Sequence, residues 1–176
     1  MDPLDSPGER LSDGTPVRVR PIRADDEPRM AAFHARLSTR SVYHRYFHLA
    51  TLEQRIAHAR LALTCRTDPA VGIALVAEHT RDDGTLEVLA LGRLTRTDDA
   101  GAAEFALLVA DDWQGLGLGR LMMQRLIEAA RALDIRQLSG DMLADNDAMR
   151  AVVRRAGFRV FTVPGDAAVL RAERAI

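Results

Sequence analysis

A single carboxylate, Glu104, sits inside the otherwise apolar run AAEFALLVA (102–110), and just downstream three glycines crowd QGLGLGR (114–120). Each feature suggests chemistry. An acid hemmed in by apolar neighbours is partly desolvated, which raises its pKa and suits it to accept a proton. Strand alternation places Ala103, Phe105, Leu107 and Val109 on one face and Glu104, Ala106 and Leu108 on the other. The small Ala106 leaves room beside the acid. Gly115, Gly117 and Gly119 open the helical run LMMQRLIEAARAL (121–133), where each glycine costs roughly 1 kcal/mol relative to alanine. No packing use is legible for them. What they offer is a helix start whose unpaired N–H groups and dipole attract an anion, with no Cβ to block its approach.

Three anionic ligands compete for such a turn. A Walker A loop ends in Gly-Lys-Ser/Thr, and this chain contains no lysine. A dinucleotide fingerprint needs Gly-x-Gly-x-x-Gly at the first turn of a βαβ unit, but here the spacing is Gly115, Gly117, Gly119 and the strand comes late. The third pattern, Gln/Arg-x-x-Gly-x-Gly/Ala, is met by Gln114, Gly117 and Gly119, with Arg120 following. Other reactive types show no such pattern. His44, His48 and His58 make no metal-ligand set with Cys65, which reads as a small apolar residue. Asp111 and Asp112 read as solvated turn residues, and Trp113 as a cover for the loop's apolar side.

Around these residues the chain reads as one mixed α/β unit. VRVRPIR (17–23) alternates as a strand, and a helix follows with Met30, Phe33, His34 and Leu37 at helical spacing. Residues 38–63 read as a turn and then helix. AVGIALVAEHT (70–80) and TLEVLALGRLTRT (85–97) are strands joined by an Asp-Gly hairpin turn, and 102–110 is the next strand. The spacing predicts a helix over 117–133, with Leu118, Met122, Leu126, Ala129, Ala130 and Leu133 on one face. A strand at 136–143 and a helix capped by Asp145 or Asn146 and ended by Gly157 come next; Met149, Val152 and Val153 lie on its apolar face. A last hairpin turns at Pro-Gly-Asp, and residues 1–16 read as a mobile tail.

Composition narrows the class. The 176 residues, 47% hydrophobic, suffice for one domain with a real core. A net charge of −1 carries no footprint for nucleic acid or an anionic membrane. No apolar run is long enough to span a bilayer, and the N-terminus lacks the pattern of a signal peptide. One cysteine excludes an internal disulfide and fits a reducing cytoplasm. All 24 basic residues are arginine, which codon bias in a GC-rich genome explains.

From Val17 to Arg171 the sequence resembles the GNAT N-acetyltransferase superfamily. The resemblance rests on ALLVADDW, the QGLGLGR loop and LADNDAMRAVVRRAGF, in that order. It implies the GNAT acyl-CoA N-acyltransferase fold: a central, mostly antiparallel sheet, splayed at the acetyl-CoA site and flanked by helices. It implies backbone pairing of Leu107 and Val109 with the pantetheine arm, and Gln114, Gly115, Leu116, Gly117, Leu118, Gly119 and Arg120 at the pyrophosphate. Asn146 and Met149 belong near pantetheine and thioester, Glu104 is the general base, and no metal is required.

STRSVYHRYF (38–47) and AEFALLVADDWQGLGLG (103–119) are similar to one subgroup, bacterial protein lysine acetyltransferases that control acyl-CoA synthetases. That implies a protein lysine as acceptor, an acyl-CoA synthetase as a candidate partner, and a monomer or homodimer. A small amine or a protein N-terminus is the rival acceptor. A silent acyl-CoA-binding module is the rival class, against which Glu104 argues. Many superfamily members protonate the leaving thiolate with a late tyrosine; here Tyr43 and Tyr46 are both early, so water or a folded-back tyrosine must serve. A lysine acetyltransferase without lysine also has no side chain of its own to acetylate.

Overall fold

Alternating burial builds the sheet. The computed structural model describes residues 4–176. Its strands are β1 (Ser6–Arg10), β2 (Pro16–Pro21), β3 (Gly72–Thr80), β4 (Leu86–Arg96), β5 (Ala102–Val109), β6 (Gln137–Leu143), β7 (Arg159–Val163) and β8 (Asp166–Ala175). The helices are α1 (Glu27–Ala35), α2 (Thr39–Tyr46), α3 (Leu52–Ile56), α4 (His58–Cys65), α5 (Leu118–Ala132) and α6 (Asp147–Arg155). All eight strands join one sheet in the order β1-β2-β3-β4-β5-β6-β8-β7. Every neighbouring pair is antiparallel except β5–β6, which is parallel. This is the mixed α/β, mostly antiparallel architecture that the family resemblance implies.

Each face of the sheet buries its own core. On one, Leu94, Phe105 and Leu107 pack with Met122 and Leu126 of α5. Gly92 lets that helix approach β4, since a Cβ there would lie 3.1 Å from Leu126 Cδ1 and from Met122 Cε. On the other face, Val76 and Leu108 pack with Met30, Phe33 and Leu61 beneath α1–α4.

Two sequence readings differ from the structure. Of the expected mobile tail (1–16), Ser6–Arg10 is an edge strand paired with β2. Its Ser, Pro and Gly content reads as loop, and tertiary pairing overrides that preference. The helix expected to run to 63 is three short ones. Ser38 caps α2, Phe47 ends it in the left-handed region at φ 62°, and Thr51 with Gln54 forms a capping box that starts α3.

Two buried polar groups stand out beneath α1. Arg20 on β2 holds Asp26 with both terminal nitrogens (2.8 and 2.9 Å) and Glu78 of β3 at 2.6 Å. Burial alone would raise the Asp26 carboxyl, but hydrogen bonds from Arg20, the Arg23 backbone and Arg29 outweigh it and hold the pKa at about 2. His34, by contrast, is buried with no partner for Nδ1. Burial, then the nearby Arg55, lowers its pKa to about 4.

His34 therefore folds neutral. Its contribution is fully present above the unfolded value of about 6.5 and is lost as pH falls toward 4. Chemical denaturation from about pH 7 to pH 5 should show wild-type stability falling, with a clearly shallower slope in His34→Leu; equal slopes would contradict the assignment.

Candidate active site

Strands β5 and β6 pair over three residues and then part. Ala102, Ala103 and Glu104 face Gln137, Leu138 and Ser139, while β5 stays paired with β4 as far as Val109. Directly past the last pair, the Phe105 ring lies over Gly140 and edge-on to Phe158 at 5.2 Å. A Cβ on Gly140 would sit 2.6 Å from that ring, so only glycine fits at the parting. The Ala110 N–H donates to the Leu89 carbonyl at 2.9 Å, which makes Ala90–Val109 a pair without mutual backbone bonds. The N–H and C=O groups of Val109 and, two residues back, of Leu107 therefore point away from β4, into the gap. The Gln114 side-chain amide donates to the Val109 carbonyl at 3.1 Å.

The glycine loop leads from that gap into α5. Gly115 and Gly117 adopt left-handed φ of 78° and 87°, and a Cβ on either would meet open space. Gly117 is the N-cap and has no capping side chain. The first helical bond is Leu121 N–H to the Gly117 carbonyl at 3.0 Å, so the N–H groups of Leu118, Gly119 and Arg120 have no helical partner. Gly119 corrects the sequence reading, because it does serve packing: its Cβ would lie 3.3 Å from Val152 Cγ2 of α6. The Leu116 carbonyl is braced by Ser12, through N–H at 3.0 Å and Oγ at 3.1 Å.

Helix α2 spans the mouth of the gap. At its start, the Ser38 N–H and the Ser38 and Ser41 hydroxyls all donate to Asp111, just after β5. Near its end, His44 Nε2 lies 3.2 Å from Asp145 Oδ1, just after β6. Asp111 is thus no solvated turn residue. Burial would raise its carboxyl, but these serine bonds outweigh that and hold it below the usual range. Sequence reasoning missed this tie, although Ser-x-x-Ser and the acid were both visible. Asp112 lies 3.8 Å from Arg36, and Trp113 packs against both cores and the His79 ring.

Glu104 occupies the apex of the gap; against the desolvation expected from its apolar strand neighbours, it is exposed on the α2 side of the sheet, with Thr95 and Ser139 as lateral partners. Arg171, held by Asp141 at 2.7 Å, is near enough to feel its charge. Asn146 caps α6, its Oδ1 accepting from the Met149 N–H at 3.1 Å, and Met149 packs on the core. Cys65 is buried and its thiol is pushed up to about 11, first by burial and then by Asp26, so it is inert as a nucleophile. Among the described residues, no cluster of His, Cys, Asp or Glu is placed to hold a metal, and no helix is long and apolar enough to cross a membrane.

A parted parallel pair, bare helix-start amides and a glycine cradle together fit an extended, diphosphate-bearing thioester. Residues 17–159 match the family described as the acetyltransferase (GNAT) domain. The chain belongs to this family. Like other GNAT enzymes it is an acetyl-CoA-dependent N-acetyltransferase. It is 34% identical over 150 residues to a Pseudomonas aeruginosa acetyltransferase, covering 85% of this chain and 78% of that one. It is 38% identical over 71 residues to the acetyltransferase Pat of Mycolicibacterium smegmatis, covering 40% of this chain and 21% of that protein. The GNAT domain of S. lividans PAT superposes with a TM-score of 0.86 at 27% identity, covering 100% of this chain and 99% of that one. The GNAT fold and a close relation to Pat-type protein acetyltransferases are thereby established.

The glycines divide by task, and substitution separates the tasks. Gly117→Ala forces a left-handed alanine, a cost of about 1–2 kcal/mol, and points a methyl at the anion's path. Calorimetry should show acetyl-CoA binding weakened about tenfold or more, with the melting temperature lowered only by the few degrees that the strained alanine costs. Gly119→Val should instead lower the melting temperature, because its side chain meets Val152. Equal losses of both kinds in both variants would contradict the division.

Proposed function

We propose that this GNAT enzyme moves the acetyl group of acetyl-CoA to a lysine side chain of a protein, by direct transfer within a ternary complex. The observation that carries the reading is the position of Glu104, a carboxylate open to the α2 side at the apex of the β5–β6 gap. The thioester arm lies along the β5 edge, its amides pairing with the backbone of Leu107 and with the carbonyl of Val109. The pyrophosphate rests on the loop from Gln114 to Arg120, where the amides are bare. Asn146 and Met149, at the start of α6, line the thioester side.

Lysine arrives as an ammonium with a pKa of about 10.4 and must lose a proton to become a nucleophile. Glu104 accepts that proton, directly or through one water. The amine lone pair then forms a bond to the thioester carbon, and negative charge gathers on the carbonyl oxygen. The Val109 N–H, aimed into the gap, donates to that oxygen. Collapse of the tetrahedral intermediate breaks the C–S bond, and the positively charged nitrogen gives up its second proton to water, leaving the neutral amide. The leaving thiolate, whose conjugate acid has a pKa of about 8.5, takes its proton from water. Tyr43 is exposed, and the Tyr46 ring lies beside Arg45 and Arg60, so neither tyrosine is assigned a step.

The relation to Pat-type protein acetyltransferases supports a protein acceptor, and the likeness of residues 38–47 to that subgroup makes an acyl-CoA synthetase lysine the first substrate to try. Glu104→Gln should retain acetyl-CoA affinity while lowering turnover of a lysine peptide by about 10²–10⁴-fold. Steady-state kinetics paired with calorimetry makes the comparison. Unchanged turnover would remove Glu104 from the mechanism.

A further inference from the structure

Arginine is concentrated on the wall above Glu104. Residues 38–67, which contain α2, α3 and α4, hold five arginines and one acid, Glu53, in a chain of net charge −1. Three guanidinium groups from separate elements come together there. Arg45 of α2 and Arg60 of α4 lie against the same Tyr46 ring, their Cζ atoms 5.2 and 4.8 Å from its centroid. Arg93 belongs to β4, between Ala74 of β3 and Ala106 of β5, on the face that carries Glu104.

These charges are not matched from within. Among the described residues, neither Arg45 nor Arg93 has a hydrogen-bond or ion-pair partner, and Arg93 Nε is buried. Glu104 is the diagonal neighbour of Arg93 across the strand pair, yet no ion pair joins them. Burial, together with Arg60 and Arg93, pushes the pKa of Arg45 down. The contrast with Arg20 is plain: that buried guanidinium is answered by both Asp26 and Glu78. Half-buried cations that repel one another cost folding free energy, and an arriving carboxylate removes the cost. The same wall exposes Tyr43, Phe47, Leu49, Leu52 and Leu63, apolar area that suits a polypeptide better than a small ion.

We propose that the α2–α4 wall docks an acidic stretch of the acceptor protein, with a carboxylate near the modified lysine seated among Arg45, Arg60 and Arg93. The proposal rests on the protein-lysine reading above. It makes local charge around the lysine the basis of selection: a neighbouring Asp or Glu favours transfer, and a neighbouring Arg opposes it.

Peptides that differ only beside their lysine test this, with Glu, Gln or Arg at the flanking positions and a panel of small primary amines alongside. Wild-type kcat/KM should be about tenfold or more higher for the Glu peptide than for the Gln peptide, with the gap narrowing as salt rises. In Arg93→Gln and Arg45→Gln the gap should shrink several-fold while acetyl-CoA affinity is unchanged. Both variants should melt no lower than wild type, since an unanswered charge has been removed; a purely structural role for either arginine predicts lower melting and an intact preference. Peptides acetylated without regard to flanking charge, or with a preference for Arg, would overturn the docking proposal and leave the lysine reading standing. Small amines acetylated while every peptide is refused would overturn both.

Discussion

Backbone groups without partners are the constraint around which this molecule is arranged. A sheet strand expects its N–H and C=O groups to be paired on both sides, and leaving them unpaired in a partly buried place is unfavourable. On β5 that expectation is met toward β4 along the whole strand, and toward β6 only as far as Glu104. Beyond it, the outward groups of Leu107 and the Val109 N–H are left without a partner, and the Val109 carbonyl is met only by the Gln114 side chain. The first amides of α5 are in the same condition, a few residues further on. Both sets converge on one crevice. In the proposed function, an extended thioester with an amide-bearing arm and a diphosphate end completes the ladder and the helix start together.

Keeping that crevice open requires specific supports. The Phe105 ring over Gly140 occupies the space in which a side chain would otherwise sit. Gln114 takes up the Val109 carbonyl and also donates to the Ser41 hydroxyl at 3.2 Å, so the glycine loop and α2 are tied to the same strand end. Asp111 gathers three donors from Ser38 and Ser41, and His44 reaches Asp145 on the far bank. Helix α2 is thereby a bridge over the gap. It forms the wall that faces Glu104, and it brings Arg45 to the Tyr46 ring beside Arg60.

How far the sequence foretold this depends on whether a requirement is local. Left-handed backbone at Gly115 and Gly117 leaves glycine as its mark, and unpaired helix-start amides follow from the absence of a capping side chain, so the bare start of α5 was legible. The alternation that sets Glu104 apart from Phe105 and Leu107 is likewise local, and the core assignments match it. The packing of Gly119 on Val152 was not legible, because it depends on how two helices meet. Nor was the bond between Ser38 and Asp111, residues far apart in the chain. The strand at Ser6–Arg10 exists because β2 offers an edge, and its own residues argue for a loop. The unanswered arginines emerge only when α2, α4 and β4 are brought together.

Amide hydrogen exchange, read residue by residue with and without CoA, tests the central claim most directly. If the unpaired groups of β5 and α5 are what hold the ligand, CoA should slow exchange at Leu107, Val109 and the amides from Gly115 to Arg120, and leave the β3–β4 amides unchanged. Exchange that stays fast at these positions while CoA is bound would contradict the account, as would protection confined to some other surface.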